Sequence, residues 1–149
     1  MFARHGGLVK GDHQIEGINS RLDGLQAAVL SVKLKRLAAW TDARRAIAAQ
    51  YQQKLADLPG LDLPYIGNDR DPVWHLYVIS HDRRDELAVF LKSRGIQTAF
   101  LPCYAHMGGK PDDYPVVHRM QSRILSLPIF PEMTGSQIVA VADALKALA

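Results

Sequence analysis

Apolar residues recur at steps of three and four through the first half of the chain, and this spacing places them on one face of an α-helix. The helical pattern starts at Leu22, no proline interrupts it, and Pro59 and Gly60 then end it. We therefore predict one long amphipathic helix over residues 22–58. The apolar positions of its stripe are Leu30, Leu34, Leu37, Trp40, Ala43, Ile47, Tyr51, Leu55 and Leu58.

The second half of the chain alternates between strand and helix patterns. Residues 61–71 are rich in turn formers and predict a connector, whereas residues 73–80, 96–101 and 126–130 predict extended segments. Helices are predicted between these segments and at the end of the chain, where Thr134 and Gln137 form a capping-box pattern. The expected fold is α+β: a long N-terminal helix followed by a small mixed or antiparallel sheet with helices packed on one face.

Composition narrows the class of protein. The chain has 149 residues, of which 48% are hydrophobic and 22% charged, so it can form one packed core. Its net charge of +3 is scattered along the chain, which argues against a nucleic-acid partner. The single cysteine, Cys103, allows no intramolecular disulfide, and a cytoplasmic location is therefore expected. The N-terminus lacks a signal-peptide pattern and no apolar run is long enough to span a bilayer, so no membrane partner is expected.

One polar turn stands directly before the long helix and is the best candidate for a site. It follows Gly17 and presents Asn19 and Arg21 beside the free backbone N–H groups of a helix start, an arrangement that suits an anion. Two local roles are the alternatives. Asn19 could bond its own backbone in the turn, and Arg21 could pair with Asp23 or Glu16. His5, His81 and His118 lack the spacing of a metal site, and we predict none.

Four stretches together resemble the DegT–DnrJ type sugar aminotransferases. Residues 17–23 and 26–28 match the family pattern G-x-N-x-R-L-D…Q-A-A, and residues 75–79 match its H-L-Y/F strand. Residues 84–98 resemble its R-D-E-L…G-I-x-T unit, and residues 125–134 resemble its L-S-L-P-x-x-P-x-L-T segment. The resemblance implies a pyridoxal 5'-phosphate (PLP) enzyme of the aspartate aminotransferase fold, which aminates a nucleotide-linked keto-sugar with an amino-acid donor.

The resemblance also implies where the chain belongs in such an enzyme. Arg4-His5-Gly6 resembles a family loop that follows the large cofactor domain. Residues 1–21 would then be the irregular end of a missing large domain, residues 22–58 the connecting helix, and residues 59–149 the C-terminal small domain.

Site residues follow from the resemblance, each at a matching position. Asn19 would donate its amide N–H to the cofactor phosphate of the other subunit in a homodimer, and Arg21 would pair with a phosphate of the cofactor or of the nucleotide-sugar. His13, Tyr104 and His106 would contact the sugar substrate, with an exposed loop histidine as the alternative for His13. The loop before His106 departs from the common family pattern, because Phe100 and Leu101 replace a His-Tyr pair.

No catalytic residue is assigned to this chain. PLP chemistry needs a lysine that forms a Schiff base with the cofactor and a carboxylate against its pyridinium nitrogen, and the family carries both in the large domain. The chain alone is therefore expected to be inactive. Two alternatives remain open: a non-catalytic binding or regulatory module derived from such an enzyme, and a PLP-dependent sugar dehydratase of the same family.

Overall fold

The computed structural model describes residues 8–9, 11, 13–18, 20, 22–99 and 110–148, and it divides the chain into two units, Met1–Ala38 and Ala39–Ala149. The helices are α1 (Gly24–Leu34), α2 (Leu37–Leu55), α3 (Arg84–Ser93), α4 (Pro115–Gln121) and α5 (Gly135–Lys146). The strands are β1 (Leu61–Asp62), β2 (Tyr77–His81) and β3 (Ile124–Leu127), and a 3₁₀ turn at Pro111–Asp113 precedes α4. This content confirms the α+β class.

The single helix predicted over residues 22–58 is two helices in the structure. The chain turns at Lys35 and Arg36, where the Arg36 N–H donates to the Lys33 carbonyl at 3.0 Å, a tightened three-residue closure. Lys33, Lys35 and Arg36 are three positive charges within four residues, and they would repel one another along a continuous helix. At a helix C-terminus the same charges are favourable, because they interact with the negative end of the helix dipole. No proline or glycine marks the break, and the periodic pattern continues through it.

Helix α1 exposes apolar side chains on two sides. Leu25, Val29 and Val32 share one face, Leu30 and Leu34 share the other, and the helix has no buried residue. A helix that is apolar on both sides is normally covered on both. Helix α2 differs, since Ile47, Ala48, Tyr51 and Leu55 are buried within the second unit.

The three strands form one antiparallel sheet in the order β1-β2-β3. Strand β1 lies inside the segment predicted as a connector, because a two-residue strand leaves no alternating pattern. The strand predicted over residues 96–101 is described only as far as Ala99, and over residues 96–99 it consists of a bridge at Ala99. The Ala99 N–H donates to the Ser126 carbonyl, and the Ser126 N–H donates to the Ala99 carbonyl. The edge of β3 that faces away from β2 is thereby partly paired.

The core of the second unit lies between the sheet and its helices. Tyr77 and Ile79 of β2 alternate with less buried neighbours, as do Leu125 and Leu127 of β3. These side chains pack with the apolar stripes of three helices, so the sheet positions α2, α3 and α5. The helical members of the cluster are Ile47, Ala48, Tyr51, Leu55, Leu87, Leu91, Ile138, Val141, Ala142, Ala144 and Leu145.

One arginine ties the three strands together. Arg123, directly before β3, donates from Nε to the Ser80 hydroxyl at 3.1 Å and from Nη2 to Asp62 of β1 at 3.2 Å. Its Nη1 pairs with Asp82, just after β2. A guanidinium offers several donors in one plane, and this geometry lets a single side chain reach all three groups.

Two buried tyrosines differ in how their hydroxyls are satisfied. The Tyr51 hydroxyl donates to the Pro128 carbonyl at 2.9 Å, and its ring lies 5.1 Å from that of Tyr77. The Tyr77 hydroxyl is buried and has no hydrogen-bond partner within the described residues. Burial raises the pKa of Tyr51, with the neighbouring Tyr77 adding to the effect, and burial also raises the pKa of Tyr77. Both phenols therefore stay protonated at neutral pH.

Removing each hydroxyl should change stability in opposite directions. Tyr51→Phe leaves the half-buried Pro128 carbonyl without its donor and should lower the free energy of unfolding by about 1 kcal/mol. Tyr77→Phe removes a buried hydroxyl that lacks a partner and should raise it by about 1 kcal/mol. Urea unfolding followed by circular dichroism measures both. A loss of equal size in the two variants would contradict the assignment.

Candidate functional site

The residues that the structure describes around the predicted anion site lead directly into α1. Asn19 and Arg21 themselves lie outside the described residues. Their neighbours Ile18, Ser20 and Leu22 are exposed. A side chain carried by this segment would stand within a few residues of the helix start.

The start of α1 is chemically suited to an anion. Asp23 is the N-cap residue in an extended conformation, but its carboxylate makes no capping hydrogen bond, and the first turn carries no acidic residue. The first-turn N–H groups of a helix have no acceptor within the helix, and the helix dipole favours negative charge there. The sequence places the amide of Asn19 and the guanidinium of Arg21 a few residues upstream, and the prediction that they contact the PLP phosphate together with these N–H groups stays a prediction.

Of the three predicted substrate residues, one lies in the part of the chain that the structure describes. His13 is described and its side chain is exposed. Tyr104 and His106 lie outside the described residues, as does Cys103. The assignment of all three substrate contacts stays a prediction.

The lysines of the described part of the chain lie at or near the surface. Lys54 is half-buried and the other five are exposed: Lys33, Lys35, Lys92, Lys110 and Lys146. A lysine that reacts as a neutral amine normally sits in a desolvated pocket, where burial disfavours its charged form. The surroundings of these six fit ordinary surface lysines.

Among the described residues, no group of three or more His, Cys, Asp or Glu is arranged to hold a metal ion. The helices described here include none with the length and apolar character needed to cross a membrane.

The structure corrects the expectation for one histidine. His75 falls in the segment predicted to be extended, residues 73–80, but it lies at an exposed bend before β2. Among the described histidines, the buried one is His81 at the end of β2, whose Nδ1 accepts the Arg83 N–H at 3.0 Å. Alternation along the strand could have indicated this, because His81 shares the face of Tyr77 and Ile79.

Residues 1–146 match the model of the DegT/DnrJ/EryC1/StrS aminotransferase family. The dTDP-3-amino-3,4,6-trideoxy-alpha-D-glucose transaminase of Streptomyces venezuelae is 40% identical to the chain over 98% of its residues and 41% of the relative. The dTDP-3-amino-3,6-dideoxy-alpha-D-galactopyranose transaminase of Aneurinibacillus thermoaerophilus is 33% identical over 97% of the chain and 41% of the relative. The chain thus spans about two fifths of the length of these curated relatives.

Solved structures give the same result. S. venezuelae DesV in complex with a ketimine intermediate superposes with a TM-score of 0.87 at 39% identity, over 99% of this chain and 42% of that one. NtdA from Bacillus subtilis with bound cofactor PMP gives a TM-score of 0.80 at 30% identity, over 99% and 38%. The resemblance seen in the sequence is confirmed, and the chain belongs to the DegT/DnrJ/EryC1/StrS aminotransferase family.

Proposed function

We propose that this chain is the C-terminal part of a PLP-dependent aminotransferase that transfers an amino group from an amino-acid donor to a nucleotide-linked keto-sugar. The observation that carries the proposal is the family match over residues 1–146, with the G-x-N-x-R-L-D…Q-A-A motif intact at the start of α1. The two relatives named above are transaminases of dTDP-linked sugars, which supports the substrate class.

The chain's own role is to bind and orient rather than to react. Asn19 donates an amide N–H to the cofactor phosphate of a neighbouring subunit, and Arg21 neutralises charge on that phosphate or on the substrate's diphosphate. His13, Tyr104 and His106 border the sugar. Bound PLP supplies an electron sink, and the lysine that holds it covalently belongs to a part of the enzyme outside this chain.

A homodimer follows from this arrangement. A residue that acts on a neighbour's cofactor requires the same patch on both subunits, so the pair is symmetric. The exposed apolar faces of α1 support the proposal that this chain packs against further protein. Contiguous apolar surface of this kind marks interaction sites.

A chimera tests the proposal. This chain is fused behind the part of the S. venezuelae relative that precedes the matched region, and amino transfer to the relative's nucleotide-sugar substrate is measured. We expect activity in the chimera and none in the chain alone. Borohydride reduction of the chimera in the presence of PLP should attach the cofactor to a lysine in the part upstream of this chain. A folded but inactive chimera, or specific labelling of one lysine of this chain, would contradict the proposal.

A further inference from the structure

Two neighbouring arginines of α2 are alike in burial and differ in their partners. Both side chains are half-buried, and in both the Nε atom is enclosed and has no hydrogen-bond partner among the described residues. The outer nitrogens of Arg45 pair with two carboxylates, Nη1 with Asp42 at 3.1 Å and Nη2 with Asp71 at 2.6 Å. The Arg44 side chain has no hydrogen bond or ion pair to any residue that the structure describes. Arg44 is therefore a cation without a counter-ion in this part of the chain.

Arg44 lies on the side of α2 that faces the core of the second unit. It precedes Ile47, Ala48 and Tyr51 by three, four and seven residues, and this spacing places all four on one face of the helix. The three later residues are buried. Trp40, one turn before Arg44, is half-buried. The apolar face of the helix thus continues past the point where the core of the second unit stops covering it.

A charge on such a face is unfavourable unless an opposite charge meets it. Partial burial of Arg44 removes water from its guanidinium, and a desolvated donor without an acceptor costs free energy. A guanidinium and a carboxylate can form two parallel N–H···O bonds, which makes arginine the cation best suited to a partly buried ion pair. Because the Nε end is enclosed, the fork of Arg44 is held before a partner arrives, and the entropic cost of pairing is lower.

The surroundings of Arg44 indicate the class of partner. Arg45, the next residue, already pairs with carboxylates from two directions. A body that covers this face must bury the free side of Trp40 and bring a negative charge to Arg44. A protein surface with an Asp or Glu among apolar side chains does both, whereas a small anion would leave Trp40 uncovered.

We propose that Arg44 forms an ion pair with an aspartate or glutamate in the part of the enzyme that precedes this chain. The chain spans 41% of the length of the S. venezuelae relative, so more than half of an enzyme of that size is protein outside it. The identity of the covering protein rests on the proposed function. The missing counter-ion of Arg44 does not.

Carbodiimide coupling in the chimera tests the contact directly. The reagent activates a carboxylate, and a lysine amine in contact with it forms an amide bond and releases the reagent as a urea. Arg44→Lys introduces such an amine. We expect a cross-link between position 44 and an Asp or Glu of the upstream part, identified by mass spectrometry of the digested protein.

The neighbouring arginine supplies the matched control. Arg45→Lys should couple to Asp42 or Asp71, both in the chimera and in the chain alone, because these carboxylates belong to this chain. If Arg45→Lys couples and Arg44→Lys gives no cross-link to the upstream part, the proposal fails. Coupling of position 44 to a carboxylate of this chain would also overturn it.

Thermal unfolding of Arg44→Met distinguishes a contact with the upstream part from a role within the chain. The midpoint should fall by a few degrees in the chimera, because the upstream carboxylate loses its partner. In the chain alone the midpoint should stay the same or rise, since the substitution removes an unpaired charge. Arg119→Met, at an exposed position of α4, should change neither midpoint. Equal losses for Arg44→Met in the chain and the chimera would contradict the proposal.

These measurements do not require amino transfer. An inactive chimera that forms the cross-link would contradict the proposed function and keep the ion pair. An active chimera without the cross-link would keep the proposed function and remove the ion pair. A weaker PLP affinity in Arg44→Met, with no cross-link, would assign Arg44 to the cofactor phosphate and overturn the proposal.

Discussion

Leu55→Ala should lower the free energy of unfolding of the chain by about 2–5 kcal/mol. Leu55 is fully buried at the end of α2, within the cluster that joins this helix to the sheet. Truncation removes its transfer free energy and leaves a cavity that the surrounding side chains fill only in part. Because small domains are stable by about 5–15 kcal/mol in total, this change is a large fraction of the whole.

Urea unfolding followed by circular dichroism measures the loss, and Leu25→Ala is the matched control. Leu25 is also a helical leucine, but it is 78% exposed on α1. Its truncation should change the free energy of unfolding by less than about 0.5 kcal/mol. Similar losses in the two variants would show that Leu25 is covered in the chain and would contradict the description of α1.

Asn19→Ala in the chimera should weaken PLP binding about 10- to 100-fold. A hydrogen bond to a charged group contributes about 1.5–3 kcal/mol, and each 1.4 kcal/mol is a factor of ten in affinity. Titration of PLP into the apo chimera, followed by recovery of activity, measures the change. Asn68→Ala is the control, since Asn68 is an exposed asparagine in a turn of the second unit.

Mixed dimers test whether Asn19 acts on the neighbouring subunit. An Asn19→Ala chimera is combined with a second chimera whose upstream Schiff-base lysine is replaced. If Asn19 serves the other subunit, one site of each mixed dimer has both groups, and activity returns on mixing. If Asn19 serves its own subunit, neither site is complete and mixing restores nothing. The second result would remove the proposed cross-subunit contact.

Local signals in the sequence were sufficient for features that depend on neighbouring residues. The predicted capping box is present, with the Gln137 N–H donating to Thr134 Oγ1 at 3.3 Å and the Thr134 N–H to Gln137 Oε1 at 2.9 Å. Gly95 follows α3 with a φ of +75°, the left-handed conformation that a glycine adopts directly after a helix. In both cases the physical cause lies within four residues.

Features that depend on distant residues were not predictable in this way. The contacts of Arg123 join positions 43 and 61 residues apart, and no spacing in the sequence indicates them. Strand β1 exists because Leu61 meets His81, although its own residues resemble a turn. The break between α1 and α2 falls in a continuous apolar pattern, which gave the wrong single helix.

The candidate site also has a part set by neighbouring residues and a part set by groups outside the motif. Its motif is local, so residues 17–28 could be recognised from the sequence. The phosphate, the sugar and the neighbouring subunit that would give Asn19 and Arg21 their roles are not encoded by any pattern within these residues. Those roles came from a family resemblance, and the chimera experiments are their test.

The exposed side chains of α1 have a consequence for the stability of this helix. Eleven residues with no buried side chain hold their shape by local hydrogen bonds alone, and isolated helices of this length are marginal in water. Any protein surface that covers Leu25 and Leu34 would therefore also stabilise the helix itself. In the proposed enzyme, ordering of this helix and docking of the protein that covers it would be a single coupled event.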